Sequence, residues 1–346
     1  MKTQSIKNIL NETVSLLSPR ARSVIEKRFG LHSDTYQTLE AIGQNLGITR
    51  ERVRQIESLG LKQLLNKNVL ETLKPAFDAI EGHLKECGGI RREDKFLVEI
   101  ADLLKINEKN RENVVNFVLT LGKNNFSYFK ETPARYAAWA LDADSYAASV
   151  GFVDALKKKL SDANSPVSEN EIFKIAAAEF KDGNVSKKAA FSYINLCRQV
   201  SQNPFGEWGL VDSPEVSPKG VKDKAFLIFK KEKHPIHFND VAKLINDVFL
   251  SDRRAHPQTV HNELIKDQRF VLVGRGTYAL ADWGYEPGTV RDVIVSILKN
   301  AKTGLTKNEI VKTVQSKRLV KDNTILLNLQ NKKVFKKIDN ERFTLA

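Results

Sequence analysis

The sequence predicts a mainly α chain: a helix-turn-helix followed by tandem winged helix-turn-helix units with short β-hairpin wings. Three observations carry this prediction. Apolar residues between Ser18 and Leu65 recur at helical spacing on both sides of a turn at Gly47. An Asn-acidic pair opens three later amphipathic segments, at Asn170, Asn239 and Asn308, each 69 residues from the next. An aromatic-small-Leu triplet follows each pair, at Trp208, Tyr278 and Phe343, and Trp139-Ala140-Leu141 stands 69 residues before Trp208.

Residues 1–17 read as a short helix with Ile6, Ile9, Leu10, Val14 and Leu17 on one side, covering the core that follows. Ser18 caps the next helix, Pro19 takes its first position and Gly30 ends it. Thr38 caps a helix whose inward residues are Leu39, Ile42 and Leu46; Ile48 plugs the gap after Gly47. Thr49 then caps a second helix with Val53, Ile56, Gly60 and Leu64 as its buried stripe. The chain continues helically from Asn66 to about Glu86, where Gly88-Gly89 breaks it.

At about 100° per residue, the outward face of the second helix carries Glu51, Gln55, Ser58 and Lys62, flanked by Arg52 and Arg54. The first residues of a recognition helix meet base edges in the major groove. Arginine pairs with guanine, glutamine with adenine, and a carboxylate accepts from the cytosine amino group; Arg50, Gln55 and Glu51 offer all three. Arg52 and Arg54 can reach phosphates on either side, and Thr49, Ser58 and Lys62 complete the expected DNA-binding set. A solvated helix face of mixed charge satisfies the same periodicity.

The residues themselves favour the first reading. SPRARSVIEKRFGL followed by TLEAIGQNLGITRERVRQIE closely resembles the fourth conserved region of bacterial primary-type sigma factors, over about the first fifth of the chain. The resemblance implies that this module reads the minus-35 promoter hexamer and docks on the flap of the RNA polymerase beta subunit. It implies base contacts from Arg50, Glu51 and Gln55, and backbone or activator contacts from Arg52 and Arg54. Seventeen residues precede Ser18, too few for the sigma regions that grip the polymerase clamp and melt DNA. A chain that is not a complete sigma factor is expected, unable to open a promoter with core polymerase alone.

The repeated landmarks divide the chain into 1–68 (the helix-turn-helix), 69–142 (a divergent unit), 146–212, 220–284 and 287–346. Each later unit orders an apolar helix, the Asn-acidic helix, a third helix and a hairpin, which is the winged-helix plan. The hairpin of the 220–284 unit is RFVLVGRGTYALADW, turning at Gly274-Arg275-Gly276; SPEVSPKG, residues 213–220, reads as a linker. The aromatic and Leu of each triplet are expected to pack on the helices, so Trp139, Trp208 and Trp283 need no ligand. Residues of about 203–284 resemble the HARE-HTH family, a winged-helix module of the RNA polymerase delta subunit and of chromatin and restriction proteins. That resemblance implies a fold and no catalytic residues. The delta subunit's acidic tail has no counterpart in this basic C-terminal unit.

The chain has 346 residues, 41% of them apolar, enough for two to four cores. Its +13 formal charge points to a polyanionic partner, nucleic acid first and an anionic membrane surface second. No apolar run approaches a spanning length, and the polar N-terminus has no secretory core. Cys87 and Cys197 make no CxxC, so a disulfide or zinc framework is not expected and a reduced bacterial cytoplasm is. The six histidines have no metal-like partner set in the sequence; His234 and His237 suit capping or surface positions. Neither a catalytic constellation nor a cofactor motif is found. Lys332, Lys333, Lys336 and Lys337 fall where the last third helix meets its wing, and are read as DNA-facing, with a solubilising surface as the plain alternative. The expected function is therefore a non-enzymatic, nucleoid-associated transcription factor that binds double-stranded promoter DNA and acts with RNA polymerase. The alternatives are an anti-sigma-like interaction protein without sequence-specific DNA binding, and a restriction- or repair-associated DNA-binding protein.

Overall fold

A computed structural model describes residues 6–32, 35–107, 109–163, 165–180, 185–249, 253–301, 303–338 and 342–346. The chain divides into two units, Met1–Ser201 and Gln202–Ala346. It is mainly helical, with short antiparallel strands. Among the described residues no helix is long and apolar enough to cross a membrane.

The first unit opens with α1 (Ile6–Ser15), α2 (Pro19–Phe29), α3 (Leu39–Leu46) and α4 (Arg50–Leu64). The helix expected over 1–17 begins, among the described residues, at Ile6; residues 1–5 lie outside them. Polar caps set the other boundaries. The Ser18 hydroxyl accepts the Ala21 amide at 3.4 Å, Thr38 accepts that of Ala41 at 3.1 Å, and Thr49 accepts that of Arg52 at 3.2 Å. Gly47 ends α3 in the left-handed region at φ 66°, which a residue with a Cβ adopts only at a cost.

Successive residues of α2 enter different cores. Val24 packs with Ile42 and Val53 inside the helix-turn-helix, where Leu39, Leu46, Ile48 and Ile56 complete the cluster. Ile25, one position on, joins Leu10, Leu64, Leu73 and Phe117 in a larger cluster. That cluster is filled by α5 (Lys67–Glu86), α6 (Glu93–Leu103) and α7 (Arg111–Leu121). Strands β1 (Ile90–Arg92), β2 (Ser127–Phe129) and β3 (Ala138–Ala140) accompany them, in the antiparallel order β1-β3-β2. The first unit continues with α8 (Ala143–Asp162), α9 (Glu169–Ala177) and α10 (Lys187–Ile194); β4 (Val200–Gln202) spans the boundary.

The second unit holds β5 (Trp208–Leu210), α11 (Val221–Glu232), β6 (Ile236–His237), α12 (Phe238–Val248), α13 (Pro257–Lys266), β7 (Phe270–Gly274) and β8 (Thr277–Leu280). It ends in α14 (Val290–Asn300), β9 (Leu305–Thr306), α15 (Lys307–Lys317), α16 (Asp322–Leu329), β10 (Phe335–Lys337) and β11 (Arg342–Leu345). The order helix, strand, helix, helix, strand, strand thus recurs from α5, from α11 and from α14. In each case the last strand lies centrally: β1-β3-β2, β6-β8-β7 and β9-β11-β10.

Both landmarks have physical causes. The acid of the Asn-acidic pair is the third residue of a helix. Glu171 and Glu309 close capping boxes with Ser168 and Thr306, while His237 caps α12 ahead of Asp240. The aromatic-small-Leu triplets lie on, or run on from, a central or returning strand. Tyr278 and Leu280 enter the core of the α11–β8 segment, and Phe343 and Leu345 pack on the last core. Trp208 is buried; Trp139 and Leu141 pack on the large cluster of the first unit. The stretch SPEVSPKG departs from a free linker: Val216 is buried, and Asn203 donates to the Glu215 carbonyl at 3.1 Å. Lys230 adds an ion pair to Glu215 at 2.8 Å.

Ile310 is fully buried among α14, α15 and α16 side chains. Ile310→Ala should cost about 2–5 kcal/mol. Hydrogen exchange should show that loss over residues 290–345, with the α2–α4 amides unchanged.

Candidate nucleic-acid interface

The candidate surface is built by packing its opposite side. Val53, Gly60 and Leu64 of α4 are buried. At Gly60 α4 lies against α2, where a Cβ would make ordinary contact, 3.5 Å from Ile25 and 3.8 Å from Ala21. Gly43 is needed at the turn: a Cβ would lie 2.7 Å from the Ile48 carbonyl oxygen, closer than a real Cβ comes. With the inner face so held, Thr49, Arg50, Glu51, Arg52, Arg54, Gln55, Ser58 and Lys62 are all exposed. They form a largely polar surface from the N-terminal end of the helix, with Leu59, 65% exposed, set beside Ser58.

That surface is internally paired. Arg54 donates to both oxygens of Glu51, at 2.9 and 2.7 Å, and Arg52 donates to the Gln55 side-chain oxygen at 3.0 Å. The Arg54 hydrogen bonds hold the Glu51 carboxyl below the usual carboxylate range. Glu51 also sits in the first turn, where the helix dipole favours a negative charge. Arg50 has no ion pair among the described residues. Thr49 spends its acceptor on the cap, which leaves its hydroxyl proton for a ligand.

Some supporting residues escape a reading by helical period. Arg28 of α2 donates to Glu57 of α4 at 3.2 Å and to the Gln37 carbonyl at 3.2 Å, tying both helix-turn-helix elements to α2. Neither residue lies on the outward face. Lys332, Lys333, Lys336 and Lys337 belong to the second unit, in the turn after α16 and on β10, and all four are exposed. They are not on a helix.

The histidines depart in one place from the absence of partners in the sequence. His83, Cys87 and Glu99 bring nitrogen, sulfur and oxygen donors within 4.8 Å of one another, the first two being one helical turn apart on α5. The His83 Nε2 is 2.9 Å from Glu99 Oε2. The same carboxylate is gripped at both oxygens by Arg91, whose Nε donates at 3.0 Å. A cation therefore already neutralises it. Burial pushes the Glu99 carboxyl up, but the hydrogen bonds from Arg91 and His83 outweigh that and leave it below the usual range. Burial pushes the Cys87 thiol up, which suits a packed thiol rather than a nucleophile. His237 and His256 cap α12 and α13, each accepting a backbone amide at 3.3 Å.

Gly43→Ala should force Ile48 and the start of α4 away from α3. Its melting temperature should fall, and any DNA affinity should fall with it; an unchanged melt would show that the turn relaxes freely. Glu99, being depressed, stabilises the fold fully above the pKa it has when unfolded. That contribution is lost as pH falls through its lower folded pKa. Glu99→Gln should therefore lower the melting temperature at neutral pH and flatten the acid side of a melting-versus-pH curve.

Residues 14–65 match the family model described as sigma-70, region 4. Over 72 residues the chain is 46% identical to RNA polymerase sigma factor SigA1 of Synechococcus elongatus, covering 20% of this chain and 18% of that one. It is 44% identical over 75 residues to SigA of a Nostoc species, covering 20% and 19%, and 34% identical over 80 residues to RpoD of Neisseria gonorrhoeae, covering 23% and 12%. The chain thus spans less than a fifth of the length of these relatives. Within that span, α2, α3 and α4 are the matched elements, and the exposed face of α4 belongs to a segment similar to region 4 of sigma-70 factors.

Proposed function

We propose that this chain is a bacterial transcription protein that reads duplex promoter DNA of the minus-35 kind through α4 and acts with RNA polymerase. The observation that carries this reading is the exposed N-terminal half of α4, with Arg50, Glu51 and Gln55 held outward by a fully packed inner face. The similarity of residues 14–65 to sigma-70 region 4 supports it. Docking on the flap of the polymerase beta subunit is the companion interaction. Arg52 and Arg54 lie beside the base-reading residues, where phosphates of both strands pass.

The segments beginning at α5, α8, α11 and α14 are proposed as winged-helix units, over residues 69–142, 146–212, 220–284 and 287–346. The helix-strand-helix-helix-strand-strand order supports this for three of them. The resemblance of residues 203–284 to HARE-HTH modules is consistent with a polymerase-associated protein. The reading assigns binding, not catalysis, to the whole chain, and places it in the bacterial cytoplasm.

A second reading has one observation behind it. Arg54 and Arg52 already bond Glu51 and Gln55, so two of the base-reading groups have internal partners. A protein that docks on polymerase without reading sequence would keep those bonds. Base readout requires exchanging them for DNA.

Glu51→Ala and Gln55→Ala distinguish the two. Each should cost about 1–3 kcal/mol on the preferred duplex and relax preference at one base pair. Binding titrations on preferred and scrambled duplexes check this. Equal losses on both would leave sequence reading unsupported, while retained affinity for core polymerase would then favour the second reading.

A further inference from the structure

The C-terminal part of the second unit holds an open groove of about 640 Å³ between α16 and the hairpin β10–β11. Its floor is apolar: Leu326 and Leu329 from α16, Phe335 from β10 and Phe343 from β11. Lysines rim it, namely Lys307, Lys332, Lys336 and Lys337. Among the described residues none of these four has a carboxylate partner, whereas Lys317 of the same unit pairs with Glu286. Lys337 instead lies over the Phe343 ring, 5.5 Å from its centre. Two further apolar side chains face solvent: Leu327 of α16 is 66% exposed and Ile338, the residue after β10, 59%.

The third helix of this segment is unlike α4. Its sequence, DNTILLNL, has no cation, opens on Asp322 and exposes a leucine. A helix entering a major groove needs donors for base edges and cations for phosphates; α16 exposes Asn323 and Thr324 as donors but carries no cation of its own. The cations stand around an apolar trough instead. A polyanion such as DNA would satisfy the lysines and leave the trough facing water. An acidic segment with apolar anchors would satisfy both. The volume lies inside the ~300–1,000 Å³ range of ordinary binding pockets. Anchors at i, i+3 and i+7 of a helix would suit such a trough, with carboxylates on the flanks of the same helix meeting the rim.

We propose that the α16–β10–β11 groove is a docking site for an acidic amphipathic helix of a partner protein, with leucine or phenylalanine anchors on the floor and carboxylates on the lysines. This site is separate from α4 and stands whether or not α4 reads DNA.

The test uses the full chain and a labelled synthetic helix bearing leucines at i, i+3 and i+7 with glutamates beside them. Fluorescence anisotropy should show saturable binding that weakens as salt rises. Lys332→Gln, Lys336→Gln and Lys337→Gln together should lower affinity about tenfold, and a peptide with glutamine for glutamate should lose about as much. These lysines are exposed, so the melting temperature should hold. Leu326→Ser should weaken the peptide while leaving the salt dependence in place. A peptide with serine for leucine should not bind. The proposal is overturned if the glutamate peptide binds no better than the serine control. It is equally overturned if the triple lysine variant loses affinity for a labelled DNA duplex while the peptide is unaffected, which would assign the rim to nucleic acid. The Glu51→Ala and Gln55→Ala variants should bind the peptide like the parent chain, so failure at α4 and failure at the groove are read separately.

Discussion

The packing of α2 is the constraint on which the first unit depends. Val24 closes the small core under the helix-turn-helix, and the adjacent Ile25 is sealed into the larger core of α1, α5, α6 and α7. Consecutive helix positions point about 100° apart, so one helix can be buried on two sides only if its flanks are also covered. At Gly60, α4 lies against Ala21 and Ile25 of α2. The Arg28–Glu57 pair closes the edge. The small core under the helix-turn-helix has three fully buried residues, one of them Val24 of α2 itself; joined through α2 it shares the packing of a much larger cluster. The face of α4 is thereby presented on a firm mount, which a surface used for geometric recognition requires.

Much of this was legible from residue types. Ser18, Thr38 and Thr49 mark helix starts because a short side-chain acceptor before an apolar period has little else to do. The stripe of Val53, Gly60 and Leu64 follows from the 3.6-residue period, and its complement is the exposed candidate surface. The Asn-acidic landmark is legible as a repeat, and its cause is capping-box chemistry at Glu171 and Glu309.

What the sequence hides is pairing at long separation and pairing within one face. Nothing local connects Arg28 to Glu57, or Arg91 and His83 to Glu99; tertiary packing brings them together. The Arg54–Glu51 spacing permits a bond, but many exposed i, i+3 pairs form none, so spacing alone does not decide it. The SPEVSPKG stretch misleads for a related reason: composition announces turns, while burial of Val216 and the bonds of Glu215 to Asn203 and Lys230 pack them. The lysines near residue 335 are visible as charge, and the trough they enclose exists only once α16 and the hairpin meet.

The bond between Arg54 and Glu51 changes what Arg54 is worth to an approaching polyanion. Arg54 and Glu51 together carry no net charge, so the pair adds little long-range attraction. A duplex of the wrong sequence would gain one phosphate contact from Arg54 at the expense of stranding Glu51 beside the backbone. A duplex that offers an amino hydrogen to Glu51 loses nothing by the exchange, because both groups find new partners. The pair would then act as a filter on loosely bound complexes rather than as glue. If α4 reads duplex DNA as proposed, selectivity would come from the wrong sites being held weakly.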